Sequence, residues 1–127
     1  MIGYTSIGTN DLPRAVAFYD TLFELLGHKR MMEFDDFVVW GSMVEKTANF
    51  SVHIPEDSQQ ATIGNGVMIA LQARNKKEVM AAHSLVLSLG GSNEGDPGPR
   101  GDGDFFAAYV RDLDGNKLNF HCFDQDR

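Results

Sequence analysis

The chain has 127 residues, of which 43% are hydrophobic and 23% are charged, which is the balance of a single globular domain and not of a disordered or fibrous chain. Lys and Arg number 11 against 18 Asp and Glu, and the resulting net charge of -7 at pH 7 disfavours binding to a nucleic-acid backbone. The lone cysteine, Cys122, and the absence of a recognisable targeting or membrane-spanning segment lead us to expect a cytoplasmic protein that does not bind membranes.

The first half of the chain predicts a strand, a helix and three further strands. Segment 2–9 alternates like a strand, and Asn10 with Asp11 supplies a helix N-cap before Pro13 in the first turn. Apolar residues then recur at helical spacing until Gly27 ends the helix. Further strands are predicted at 29–34, 37–41 and 48–54, before a polar segment at 58–66 that is typical of a linker.

The second half begins the same order again. After a predicted strand at 67–73, Asn75 is a helix N-cap, and Gly90 ends the helix that follows. The segment 94–103 is rich in glycine and proline, which predicts a mobile loop. Strands are predicted at 104–111 and 117–123, joined by a hairpin at 112–116 in which Gly115 supplies a positive φ.

The chain is therefore predicted to contain the order β-α-β-β-β twice. The helix-ending Gly27 and Gly90, and the N-cap candidates Asn10 and Asn75, recur at nearly the same spacing. This spacing is longer than the roughly 20–50 residues of solenoid repeats, so it indicates two similar modules packed on each other. We predict one α+β domain over residues 1–127, with module one at about 1–57, a linker at 58–66 and module two at 67–127.

Two motifs carry a resemblance to a known family. The segment 7–19, Ile-Gly-Thr-Asn-Asp-Leu-Pro-Arg-Ala-Val-Ala-Phe-Tyr, resembles the opening of vicinal oxygen chelate proteins, and 112–116 resembles the hairpin before their last strand. That superfamily includes glyoxalase I (lactoylglutathione lyase), extradiol dioxygenases and bleomycin-resistance proteins. The resemblance covers nearly the whole chain, and it implies paired βαβββ modules that form a curved mixed sheet around a cavity, usually in a dimer.

Many members of this superfamily bind a divalent metal through His or Glu on the first and last strand of each module. The metal chelates adjacent oxygens of the substrate. Aligning the motifs puts Tyr4, Ser51, Met68 and Asn119 at these four positions. These side chains are not the imidazoles and carboxylates that such metals prefer. We therefore expect no cofactor at the family position, and a divalent metal only at a displaced site.

Strand alternation predicts which side chains would line the cavity that the resemblance implies. The apolar faces of the strands pack on the helices, so the opposite faces would supply the lining. The predicted ligand-binding residues are Tyr4, Ser6, Trp40, Ser51, His53, Met68, Asn119 and His121. Trp40 has two interpretations, as a cavity wall or as an aromatic residue of the core or of a dimer interface. In the Gly/Pro segment, Arg100 is a candidate to close over an anionic ligand.

His53 and His121 occupy matching places, each two residues beyond a replaced metal-ligand position. Three interpretations are open: a displaced two-histidine metal site, a general base working near neutral pH, and hydrogen-bonded polar walls. Either histidine is therefore a candidate catalytic residue.

Three functions follow from these observations. The first is a metal-free homodimer that binds a small molecule, similar to bleomycin-resistance proteins. The alternative is a lyase, isomerase or dioxygenase that resembles lactoylglutathione lyase and has a displaced metal or a metal-free acid–base site. The third is an interaction domain with an empty cavity, because fold alone does not determine function.

Overall fold

The protein forms two compact units, Met1–Gly64 (unit 1) and Asn65–Arg127 (unit 2). The structure is a computed structural model, and it describes residues 1–42, 44 and 49–123. Each unit contains one helix and an open four-stranded mixed sheet, in the order β-α-β-β-β. The predicted α+β class and the duplicated element order are therefore confirmed. The boundary between the units falls inside the segment predicted as a linker.

In unit 1 the sheet has the strand order β1-β4-β3-β2, with β1 parallel to β4 and the other pairs antiparallel. The predicted start of the fourth strand at Ala48 lies outside the described residues. The elements of this unit are β1 (Tyr4–Gly8), α1 (Leu12–Leu26), β2 (Lys29–Glu33), β3 (Phe37–Gly41) and β4 (Asn49–His53).

The cap of α1 corrects one detail of the prediction. Asp11 alone is the N-cap, and its side chain accepts a hydrogen bond from the Arg14 backbone N–H at 3.1 Å. Asn10 instead pairs with the backbone of Ala61, accepting from its N–H at 2.7 Å and donating to its carbonyl at 3.2 Å. Asn10 therefore fastens part of the predicted linker to the start of α1. At the other end, Gly27 adopts φ 87, the left-handed conformation that favours glycine.

The core of unit 1 is an aromatic cluster between α1 and its sheet. Tyr19 and Phe23 on the helix contact Trp40 on β3 and Phe50 on β4, with ring centroids 4.9 to 5.8 Å apart. Trp40 is 1% exposed, and its indole N–H donates to the Asp20 carboxylate at 2.8 Å. The interpretation of Trp40 as a cavity wall is therefore wrong, because strand alternation turns its ring towards α1 together with Phe50.

The Asp20 carboxylate connects this core to the edge of the sheet. Partial burial raises its pKa, but hydrogen bonds from Arg30 and Trp40 and the charge of Arg30 outweigh that effect and hold the pKa below its ordinary value of 3.8. The guanidinium of Arg30 also pairs with Glu33. Because Asp20 and Arg30 remain partly exposed, solvent screens much of their attraction.

Unit 2 repeats the same topology, with the strand order β5-β8-β7-β6 and β5 parallel to β8. The first strand begins at Ile69, later than predicted, so Met68 precedes the strand and alternation does not assign it to a face. No helix in the described part of the chain has the length and apolar character needed to cross a bilayer. The elements of unit 2 are β5 (Ile69–Gln72), α2 (Lys76–Ser88), β6 (Ser92–Pro99), β7 (Phe105–Arg111) and β8 (Lys117–Phe123).

The glycine- and proline-rich segment is mostly strand β6, so the predicted loop at 94–103 is wrong for residues 94–99. This strand pairs antiparallel with β7, with irregular register at Asn93, Gly95 and Gly98. It lies at the edge of the sheet, where a proline that cannot donate a ladder hydrogen bond is tolerated. The prediction failed because the glycine and proline content of this segment is typical of a loop, whereas its hydrogen bonds to β7 determine that residues 94–99 are a strand.

The hairpin between β7 and β8 is as predicted. The Asp112 side chain accepts hydrogen bonds from the backbone N–H groups of Asp114 and Asn116 and from the side-chain amide of Asn116. Gly115 adopts φ 89, which glycine permits at little cost. The hairpin therefore fixes how β8, which carries Asn119 and His121, continues from β7.

Candidate small-molecule site

Each sheet has one face covered by its own helix and an opposite face, which we call the distal face. In unit 1 the α1 side carries Ile7, Trp40, Phe50 and Val52, and in unit 2 the α2 side carries Val110, Leu118, Phe120 and Cys122, all buried. Strand alternation therefore places the remaining side chains of these strands on the distal faces. Six of the predicted site residues lie there on paired strands: Tyr4, Ser6, Ser51, His53, Asn119 and His121.

On the distal face of unit 1, Ser6 and His53 form a close pair. The Ser6 Oγ and His53 Nδ1 atoms share a hydrogen bond of 2.6 Å between neighbouring parallel strands. When the imidazole donates this bond through Nδ1, its lone pair lies on Nε2, which can then accept a proton. The pair is thus geometrically suited to acid–base chemistry.

An open depression of about 500 Å³ adjoins this pair. It is lined by His53, Pro55, Glu56 and Asp57. Its volume is within the range of small-molecule sites, but its openness and its polar lining differ from the enclosed apolar pockets that bind most ligands tightly.

The four positions that the family resemblance assigns to metal ligands do not suit a divalent metal here. Ser51 is 2% exposed, and its hydroxyl donates to the Thr5 carbonyl at 2.9 Å. Tyr4 is 67% exposed, and Met68 offers only a thioether. Asn119 offers a neutral amide. Within residues 1–42, 44 and 49–123, no three His, Cys, Asp or Glu side chains form a group that could hold a metal ion.

The distal face of unit 2 holds the second histidine in a fixed orientation. The Asn119 side chain is almost completely buried, and its oxygen lies 3.0 Å from the Nδ1 atom of His121. Since an amide oxygen can only accept, His121 donates through Nδ1, and the neutral ring carries its lone pair on Nε2. Asn119 therefore acts as a positioning residue for the imidazole.

An aromatic group surrounds His121. The Phe105 ring stacks on the imidazole with centroids 5.4 Å apart and an interplanar angle of 29°. Phe123 lies at the edge of the same cluster, 5.5 Å from Phe105 and 6.3 Å from His121. These three rings, which we call the aromatic trio, are each partly exposed, so they offer apolar surface to a planar molecule.

Two cations flank Tyr109, the next aromatic residue on the distal face of β7. The Arg100 guanidinium carbon lies 5.4 Å and the Lys117 Nζ 5.7 Å from the centroid of the Tyr109 ring. Arg100 reaches this ring because Gly95 and Gly98 leave room for it: a Cβ at either glycine would lie 3.3 Å from a guanidinium nitrogen. Gly95 and Gly98, whose presence had suggested a loop, therefore leave the space in which the Arg100 side chain packs.

One acidic side chain near Lys117 is already paired. Glu94 accepts a hydrogen bond from Arg111 at 2.6 Å, and this contact, with the positive charges of Arg111 and Lys117, holds the pKa of Glu94 below its ordinary value. Glu94 is thus ionised at neutral pH, and Arg111 offsets its charge.

Sequence reasoning missed the aromatic residues that share this face with His121. It identified Asn119 and His121 but not Phe105, Tyr109 or Phe123. Strand alternation could have identified them, because residues 105 and 109 share a face of β7 and residues 119, 121 and 123 share a face of β8. What the sequence did not supply was the register that pairs Phe105 with Phe123 and Tyr109 with Asn119.

Comparison with known proteins places this geometry in a family. The family model described as Glyoxalase/Bleomycin resistance protein/Dioxygenase superfamily matches residues 1–120. A solved glyoxalase/bleomycin resistance protein from Albidiferax ferrireducens T118 is 30% identical with a TM-score of 0.86, over 95% of this chain and 97% of that chain.

Two further solved structures are similar over most of their length. A hypothetical protein from S. aureus is 25% identical with a TM-score of 0.69, over 93% of this chain and 90% of that chain. A glyoxalase/bleomycin resistance protein/dioxygenase family enzyme from Burkholderia phytofirmans PsJN shares the fold at 15% identity, with a TM-score of 0.74 over 94% of this chain and 95% of that chain. No curated protein matches the chain.

Proposed function

The chain belongs to the glyoxalase/bleomycin resistance protein/dioxygenase superfamily, and within it we propose a protein that binds a small organic molecule without a metal ion. The observation that carries this proposal is the distal face of unit 2. There, a fixed His121, a buried Asn119 and partly exposed aromatic rings combine apolar surface with a few oriented polar groups. This combination is typical of small-molecule sites.

The donors at the four family positions support the metal-free part of this proposal. A phenol, a hydroxyl, a thioether and an amide replace the imidazoles and carboxylates that hold zinc, nickel, iron or manganese. The Ser51 hydroxyl is in addition committed to the Thr5 carbonyl.

A thermal denaturation screen against a library of small organic molecules tests the proposal. Any molecule that binds the folded chain and not the unfolded chain raises the unfolding midpoint by mass action. We expect stabilising molecules to be found with chelator-treated protein, and we expect the stabilisation to weaken in a His121→Ala variant, measured against that variant's own unliganded midpoint.

A Met80→Ala variant is the matched control, because Met80 is an exposed side chain on α2, away from the distal face. This variant should keep the full ligand-dependent shift. A library that stabilises neither the wild type nor the control would overturn the proposal, as would a shift that appears only after a divalent metal is added.

We further propose that the protein is a homodimer, in line with the family resemblance and with the bleomycin-resistance proteins to which the chain is similar. Analytical ultracentrifugation should give twice the 14.0 kDa of one chain. A monomer at micromolar concentration would contradict this part of the proposal and leave ligand binding unaffected.

A second candidate function, metal-free acid–base catalysis, is favoured by the 2.6 Å contact between Ser6 and His53 beside the open depression. In this scheme Nε2 of His53 removes a proton from carbon next to a carbonyl, and Ser6 positions the ring. Deuterium wash-in from heavy water into a panel of α-hydroxy ketones, followed by NMR with chelator-treated protein, tests it. Wash-in should disappear in His53→Ala and be reduced in Ser6→Ala. Equal wash-in for wild type and His53→Ala would refute the scheme.

A further inference from the structure

The distal face of unit 2 carries its charge and its aromatic surface in two separate places. The aromatic trio lies at the Phe105 end of β7, and the two cations flank Tyr109 further along the same strand. His121 pairs with Ala107 and Asn119 with Tyr109, so His121 lies two residues, about 7 Å, from the level of Tyr109 along the strand, and Phe105 lies four residues, about 13 Å, from Tyr109.

Arg100 is held ready to bind an anion. Its guanidinium donates to the backbone carbonyls of Asp96 at 2.7 Å, Gly98 at 3.0 Å and Pro99 at 3.3 Å. A guanidinium has five N–H donors, so these contacts leave donors for a further partner. Because the side chain is already fixed on β6, little of its freedom is lost when it binds an anion.

Local charge favours an anion here although the whole chain is acidic. Lys117 contacts the Tyr109 ring, and Arg100 contacts the same ring. Two carboxylates lie near these cations: Glu94 pairs with Arg111 and is also attracted by Lys117, and Asp96 accepts a hydrogen bond from the neutral Asn93 amide. Arg100, Arg111 and Lys117 outnumber these two carboxylates, so the positive charge around Tyr109 is only partly offset.

We propose that the ligand of this face is an aromatic carboxylate, with its ring stacked on the aromatic trio and its carboxylate facing Arg100 and Lys117. This inference rests on the proposed function and adds the class of ligand. Stacking of the ligand's aromatic ring on Phe105 and His121 supplies the apolar contact. The two cations favour a negatively charged ligand over a neutral or positive one.

Isothermal titration with 4-biphenylcarboxylate tests the proposal, because its distal ring and carboxylate are separated by about the spacing between His121 and the level of Tyr109. Three matched probes vary one property each. 4-Phenylbenzylamine reverses the charge, 4-phenylbenzamide removes it, and 4-cyclohexylbenzoate replaces the distal aromatic ring by a saturated one. We expect 4-biphenylcarboxylate to bind about tenfold more tightly than the amine or the amide, which corresponds to about one favourable charge contact.

Two variants and one control link the preference to the named residues. Lys117→Gln should remove most of the preference for the anion, and Phe105→Leu should remove the preference for the biphenyl over the cyclohexyl probe. The control is Lys76→Gln, since Lys76 lies 5.5 Å over the Phe106 ring on the α2 side of the same strand. It removes an equivalent cation and should leave the affinity unchanged. Phe123→Leu replaces Phe105→Leu in this test if the latter does not fold.

The outcomes separate this inference from the proposed function. Equal affinity for all four probes would overturn the inference and leave small-molecule binding standing. The inference would also be overturned if no probe bound while other library molecules stabilised the protein through His121. If neither the probes nor any library molecule bound, the proposed function itself would fail, and the inference with it.

Discussion

Replacing Trp40 by Phe separates the role of this residue in the core from a role in ligand binding. The change removes the indole N–H that bonds the Asp20 carboxylate and part of a ring packed against Tyr19 and Phe23. The lost hydrogen bond costs about 1 kcal/mol, less than is usual for a charged acceptor, because Asp20 is partly exposed and keeps its contact with Arg30. The smaller ring adds about 1–2 kcal/mol for lost packing and a small cavity.

The total, roughly 2–3 kcal/mol, is large enough to measure as a thermal shift. With an unfolding entropy of about 2.1 cal/mol/K per residue, the midpoint should fall by roughly 7–11 °C. Circular dichroism is the suitable assay, because the variant lacks the only tryptophan of the chain. Tyr4→Phe, which alters a 67% exposed side chain, is the control and should leave the midpoint unchanged. An unchanged midpoint in Trp40→Phe together with weakened ligand binding would refute this assignment.

Three further predictions concern stability. Gly91→Ala would place a Cβ 2.4 Å from the Val86 side chain and 2.6 Å from a backbone carbonyl oxygen of β7. It should lower the free energy of unfolding, measured by urea denaturation, by about 3 kcal/mol. Gly103→Ala is the control, because nothing lies within 4 Å of its added Cβ, and it should leave the free energy of unfolding almost unchanged. Asp112→Ala removes the hydrogen bonds that hold the last hairpin and should lower the unfolding free energy by about 2 kcal/mol; a loss below 0.5 kcal/mol would contradict that role. The pKa of Asp20 is lower in the folded chain than its ordinary value of 3.8, so the stability that its charge contributes is present above this pH and is lost as the pH falls through the folded-state pKa. As the pH falls below about 4 in acid denaturation, Asp20→Asn should therefore lose less stability than the wild type. If the two proteins lose stability equally over this pH range, the proposed pairing of Asp20 with Arg30 and Trp40 would be contradicted.

Local signals were sufficient for most of the fold. The strands Phe37–Gly41 and Lys117–Phe123 and the helix Leu12–Leu26 have the predicted bounds, because apolar periodicity and the Gly27 stop specify them within a few residues of sequence. Strand β6 was not predictable in this way. Its conformation depends on pairing with β7, and its glycines are required by Arg100, which lies across them.

The candidate site was predictable in part for the same reason. Alternation along single strands assigns His53 and His121 to the distal faces without knowledge of the fold. The side of the sheet that Trp40 occupies depends on α1, and the contact of Phe105 with His121 depends on the register between β7 and β8. Both are tertiary facts, which composition and periodicity do not contain.

The central claim, that this chain binds a small molecule on the distal face of unit 2 without a metal, is tested most directly by titrating a stabilising ligand into chelator-treated protein before and after divalent metal is restored. Calorimetry should give the same affinity in both states, and His121→Ala should weaken the affinity equally in both. An affinity that appears only with zinc, nickel, iron or manganese, or one that His121→Ala leaves unchanged, would contradict the claim.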